Sequence, residues 1–252
     1  MFKIAFKNLK RFKLGLPVRV EWKSIPDQKA LIDRFFSKPG KKLLVVLDAC
    51  RLDYFNLQLP LLLNPPLKVN VKFTFKACRS RGSCTKEWLE KTFNGKFDVV
   101  YVSANPWVSL VARDKFRRVV DLAKRHWDGK LSTVKPELVN LHTLKWILKG
   151  ENLIVHYLQP HPPFLCSTWL VNSSKNPVLA GKEVYEQAEK NLRALKEFKR
   201  CYLLNLRRVI FYARSLIATA LKHDYRVAVT SDHGELLGER SGVIAILENL
   251  LK

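Results

Sequence analysis

Two short stretches carry residues whose types and spacing suit chemistry. Residues 227–239 read VAVTSDHGELLGE, and residues 43–53 read LLVVLDACRLD. In each, an apolar and β-branched run reads as a buried strand. Each run stops at an acid, Asp232 in the first and Asp48 in the second. A carboxylate at the end of a buried strand needs a partner once it has left water. Asp232 is followed by His233, and Gly234 lets the backbone turn close to whatever the pair holds. A hard carboxylate oxygen beside an imidazole nitrogen suits a divalent ion such as Zn or Mn. The plainer alternative for each acid is a helix N-cap, with His233 incidental. Ligands of open α/β sheets sit outside the carboxyl ends of the strands, so two strand-end acids far apart in sequence are what a composite site requires.

Three further stretches add polar groups. In residues 159–164, QPHPPF, prolines hold His161 in a stiff loop after a strand, and Gln159 can hold a site water or a backbone group. Arg51 can grip a phosphate or sulfate through paired N–H bonds, or fix Asp53 or Asp48 instead. In residues 79–89, RSRGSCTKEWL, Gly82 precedes a helical pattern. Ser83 then stands at a positive helix N-terminus, where backbone N–H groups accept an anion and a hydroxyl near a metal becomes a nucleophile. The alternative for Ser83 is a simple N-cap. His156 lies inside a strand pattern and reads as a packed core residue; His126 and His142 read as ordinary helix histidines.

The segments LDACRLD, RGSCTKEW, HYLQPHPPF and TSDHGE, in this order, resemble the sulfatase-like branch of the alkaline phosphatase superfamily. The likeness is to archaeal sulfatase-like proteins and, more distantly, to lipoteichoic acid synthase-type phosphoglycerol transferases. It spans residues 43–239. The resemblance implies that Asp48, Asp232 and His233 bind one divalent ion (Zn, Mn, Mg or Ca). It implies Ser83 as the nucleophile, with Thr85 as the runner-up, and His161 as a substrate-oxygen contact or proton donor. Arg51, Arg81, Thr85 and Gln159 become substrate-binding groups. The implied activity is that of a hydrolase or transferase acting on phosphate or sulfate esters through a covalent Ser intermediate. Formylglycine sulfatases need a Cys with Pro two residues on and Arg four on. Cys84 is followed by Thr85, Lys86, Glu87 and Trp88, so a phosphoester is expected over a sulfate ester. After Glu239 the family continues with a further His or Lys and more strands. Here the chain runs on as a short apolar tail, so one tightly bound ion is expected rather than two.

The composition bounds the partners. The chain has 252 residues, 47% of them hydrophobic, enough for one α/β domain with a sizeable core. A formal net charge of +23, from 45 Lys+Arg against 22 Asp+Glu, predicts attraction to anionic partners. These are phosphorylated substrates, nucleic acid or an acidic membrane surface. A rival function is therefore an inactive relative that binds nucleic acid or anionic lipid. Five cysteines without a CxxC pair read as a reduced, cytoplasmic chain, peripheral at the membrane at most. No apolar run of about 18 residues is present, and charges interrupt every apolar stretch near the N-terminus.

Periodicity and breakers place the elements. Residues 1–40 form a basic N-terminal segment expected to pack on the core, with residues 41–252 as the sulfatase-like domain. Phe2, Phe6, Leu9 and Phe12 share one helical face, which reads as packing on the domain in preference to an interfacial membrane helix. Helices are expected over 26–37, from Asp53 to just before Pro60, and over 83–93, 114–127 and 136–148. A further long helix is expected over 182–223, with a bend near 199–202. Strands are expected over 43–47, 69–75, 98–103, 152–158 and 227–230. Strands alternating with helices give an α/β fold: three α/β/α layers, a mostly parallel sheet, alkaline phosphatase-like.

Overall fold

The computed structural model describes residues 25–63, 74–165, 182–189 and 191–237. Its centre is a five-stranded, all-parallel sheet in the order β3-β2-β4-β1-β5. The strands are β1 (Lys42–Asp48), β2 (Phe97–Ser103), β3 (Phe116–Asp121), β4 (Leu153–Pro160) and β5 (Arg226–Ser231). The helices, in chain order, are α1 (Gln28–Ser37), α2 (Leu52–Leu62), α3 (Thr85–Thr92), α4 (Trp107–Val111), α5 (Leu122–His126), α6 (Pro136–Leu148), α7 (Lys182–Ala188) and α8 (Leu192–Lys222). The expected three-layer α/β/α architecture with a parallel sheet is what forms.

The central strands are apolar throughout because both of their faces are covered. Alternation still decides which face each residue serves. Leu43, Val45 and Leu47 of β1 pack with Leu206, Val209, Ile210 and Ala213 of α8 and with Val139 and Ile147 of α6. Leu44 and Val46 face the other layer, with Ile32 of α1, Trp88 and Leu89 of α3, and Phe93. Residues of the same parity at the carboxyl ends therefore open toward α3.

Several elements differ from expectation. Residues 114–127 form no single helix: β3 occupies Phe116–Asp121 and only Leu122–His126 is helical. The backbone of β3 pairs with β2, while Arg117 and Arg118 stand exposed, as an edge strand allows. The long helical pattern is divided in two: α7 ends at Ala188 and α8 begins at Leu192, where Asn191 caps the helix by accepting from the Ala194 N–H. From there α8 runs for 31 residues without a break at 199–202. α2 continues through Pro60 to Leu62; a proline so near a helix end removes one hydrogen bond rather than breaking the helix. The strand expected over 69–75 falls mostly outside the described residues, and residues 74 and 75 are not strand. The helix expected in residues 1–13 also lies outside them.

Cys201 of α8 is disulfide-bonded, so the reading of a wholly reduced chain does not hold. Cys50, Cys78 and Cys84 are free thiols. No described helix is long and apolar enough to cross a membrane.

Candidate metal centre

Adjacent strands bring the two acids together. β1 and β5 pair in parallel with Leu47 opposite Ser231, so the next residues along, Asp48 and Asp232, are neighbours. β4 lies on the other side of β1 and sets His156 opposite Val46 and Ser103. Asp48, His156 and Asp232 all have the parity that faces α3. One ligand atom from each of these three buried residues lies within 4.8 Å of the others, a group able to hold a metal ion. The His156 Nε2 is 3.7 Å from the Asp232 Oδ2. The His233 Nε2 is 3.5 Å from the Asp48 Oδ1 and 3.5 Å from the Asp232 Oδ2. Ligand atoms about 2.1 Å from one ion in a tetrahedron are separated by roughly 3.4 Å. The three histidine-to-carboxylate spacings are close to that, within a cluster whose bound is 4.8 Å.

Two buried atoms in the centre have no hydrogen-bond partner: the Asp48 Oδ1 and the His156 Nε2. Buried polar atoms in folded proteins are almost always paired, and these two are electron-pair donors pointed at one place. The outer nitrogens are fixed. The His233 Nδ1 lies 2.7 Å from the Gly234 carbonyl and donates to it, which leaves Nε2 as the nitrogen that a cation would bind on displacing its proton. The His156 Nδ1 lies 3.0 Å from the Tyr101 hydroxyl. These residues fit a divalent cation.

The surroundings hold the acids in place. The Asp232 Oδ1 accepts from the backbone N–H groups of Ala49 and His233, at 3.0 and 2.8 Å. Ala49 reaches this position with a φ of 56°, a left-handed conformation that non-glycine residues adopt at a cost of about 1–2 kcal/mol. The Tyr202 hydroxyl steadies the same turn by donating to the Ala49 carbonyl and accepting from the Arg51 N–H. Burial pushes the Asp48 carboxyl up, but the charge of His161 and the nearby His233 ring outweigh it and hold it down at about 2. Burial also pulls the His233 imidazolium down, yet Asp232 and then Asp48 hold it protonated up to about 10. His156 is lowered by its own burial and stays neutral. The cluster thus sets a positive charge of its own against two carboxylates, the role a bound cation would take over.

Thr85, the first residue of α3, places its hydroxyl in this centre. Its Oγ1 donates to the Asp232 Oδ2 at 2.6 Å and lies 3.4 Å from the His233 Nε2. The Asn105 amide donates to both the Thr85 Oγ1 and the Asp48 Oδ2, at 3.1 and 2.6 Å. Ser83 is elsewhere. It is exposed, and its hydroxyl and backbone N–H both donate to the Glu87 carboxylate. The expectation that Ser83 stands beside the acids is corrected; Thr85 occupies that position. The helix begins two residues later than its pattern indicated, and Ser83 serves its first turn. No family model, curated protein or solved structure matches this chain.

The remaining candidates divide. His161 borders the centre: its backbone N–H donates to the Asp48 carbonyl at 3.2 Å, and its Nδ1 lies 2.5 Å from the Pro162 carbonyl. Arg51 is spent on Asp53 through two bonds of 3.0 and 2.8 Å and on the Glu235 carbonyl, so it braces the turns around the site. Arg81 forms an exposed ion pair with Asp27 at 2.8 Å. Gln159 is buried, and its amide donates to the Thr133 hydroxyl and the Val134 carbonyl. Arg81 and Gln159 are thus engaged in ion pairing and loop anchoring, and neither forms a hydrogen bond with the cluster. His156 and Asn105 are the residues that sequence reasoning missed. The signal for His156 was its parity, since it follows Ile154 on the face that also carries Leu44 and Val46.

Proposed function

We propose that this protein is a divalent-metal-dependent hydrolase or transferase of phosphate esters that works through a covalent intermediate on Thr85. The observation that carries the reading is the Thr85 hydroxyl, donated at 2.6 Å to Asp232 of the buried Asp48, His156 and Asp232 cluster. Asp48, His156, Asp232 and His233 would hold the ion. Such an ion supplies Lewis acidity, which lowers the pKa of a nearby hydroxyl and neutralises charge on an ester oxygen.

The chain's own groups supply the rest. Asp232 accepts the Thr85 hydrogen bond and would take that proton as the oxygen forms its bond to phosphorus. Asn105 donates to that same oxygen and to Asp48, and so fixes the two relative to one another. The backbone N–H groups at the start of α3 favour an anion there. His161, at the rim, would protonate the departing alcohol. Attack by Thr85 would release that alcohol, and water or an acceptor alcohol would then release the phosphoryl group. Phosphate is favoured over sulfate because Cys84, the residue that formylglycine chemistry would need, lacks that signature.

The test is turnover of aryl phosphate, aryl phosphodiester and aryl sulfate with added Zn, Mn or Mg. Thr85→Val should lower kcat by about 100-fold or more, while the metal stays bound. Thr85→Ser should retain part of the rate, and Ser83→Ala and Cys84→Ala should change little. Loss of activity in Ser83→Ala with retention in Thr85→Val would reverse the assignment.

A further inference from the structure

Of the eight large apolar side chains that stand exposed among the described residues, five lie on α6 and α8. Three are on α6: Leu141, Leu144 and Leu148, at 62, 37 and 69% exposure. They recur at helical spacing on the stripe that begins with Glu137. Glu137 reaches across to Arg208 of α8 at 2.9 Å, and Asn140 donates to the Tyr212 carbonyl. The leucine stripe thus adjoins the outer face of α8. There Phe211 is 49% exposed, with the Arg214 guanidinium 4.7 Å from its ring centre. Together α6 and α8 carry nine Lys and Arg against two Glu. Both Glu are engaged by arginine, Glu137 by Arg208 and Glu197 by Arg200.

From this face we infer that the protein docks on an anionic lipid bilayer through α6 and α8, lying in the plane of the interface. The chemistry of the face selects this occupant. Apolar side chains projecting between cations enter the boundary between headgroups and acyl chains, while Lys and Arg meet lipid phosphates. A second copy of so basic a face would repel the first. A nucleic acid would pair with the cations but would leave the three leucines in water. The inference stands apart from the proposed activity, because the metal centre opens on the α3 side of the sheet and these helices cover the other.

The experiment is flotation of the full chain with vesicles of phosphatidylcholine alone or with about one third phosphatidylglycerol. Binding is expected only to the anionic vesicles. The variant Leu141→Gln/Leu144→Gln/Leu148→Gln, at exposed positions, should keep the wild-type circular dichroism and bind at least about tenfold more weakly. Raising salt should weaken the wild type too. Failure to bind anionic vesicles, or wild-type binding by the triple variant, would overturn the inference. So would a wild-type dimer in sedimentation that the triple variant turns into a monomer, since the stripe would then be a self-association surface. Duplex or single-stranded nucleic acid that displaces the vesicles and binds the triple variant as tightly as the wild type would assign the face to polyanions instead.

Discussion

Two hydroxyls flank Cys84, and their different fates show what one residue's spacing decides. Pattern alone put the helix start at Ser83. The backbone becomes helical at Thr85, so Thr85 points at Asp232 and Ser83 is left to the first turn. Ser83 and Glu87 form a cap: both the N–H and the hydroxyl of Ser83 donate to the Glu87 carboxylate, which also pairs with Lys91. The Lys91 contact first, then the Ser83 bonds, hold the Glu87 carboxyl at about 2. A carboxyl lowered on folding stabilises the protein above its unfolded value of 4.5, and that contribution is lost as pH falls toward 2. The pair is partly exposed, so its worth is discounted to about 0.5–1 kcal/mol. Urea unfolding of Glu87→Gln should show that loss at pH 7 and converge with the wild type only at or below about pH 2. A deficit that persists unchanged at low pH would mean that the cap is not electrostatic. Asp48, Asp232 and His233 were legible because an acid at the end of an apolar strand is conspicuous. His156 was not, because a buried histidine inside a strand looks like packing until neighbouring strands are in register.

At the scale of elements, the strongest constraint on the site is the loop before α3. A Cβ on Gly82 would lie 2.3 Å from the Trp88 backbone nitrogen and 2.6 Å from its Cα. Backbone cannot yield as a flexible side chain does, so Gly82→Ala must displace the loop or the helix. Trp88 is itself tied down: its indole N–H donates to Gln28, whose amide donates to Thr230 and to the Ser231 carbonyl. Gly82→Ala should therefore cost about 1–3 kcal/mol in stability. It should also lower turnover out of proportion to the fraction unfolded, because Thr85 moves with α3. Wild-type turnover in folded Gly82→Ala would show that α3 is not rigidly placed. The elements misread from sequence were those whose pattern is ambiguous. β3 is short, and its exposed Arg117 and Arg118 gave it a helix-like mixture of charge and apolar residues. The break between α7 and α8 carries neither Gly nor Pro, so only the cap at Asn191 marks it.

For the whole molecule, alternation of apolar strands with helices made the parallel three-layer fold readable, whereas strand order was not. That order, with β1 between β4 and β5, is what joins residues as distant as Asp48, His156 and Asp232. An ion held there would bridge three strands, so binding it is also folding energy. Metal analysis of the purified chain, with equilibrium dialysis against Zn and Mn, tests this most directly. The expected result is one ion per chain, a higher Tm on loading, and loss of both in Asp232→Asn and in His156→Ala. A chain that takes up no ion, or that keeps its ion when Asp232 and His156 are replaced, would contradict the account.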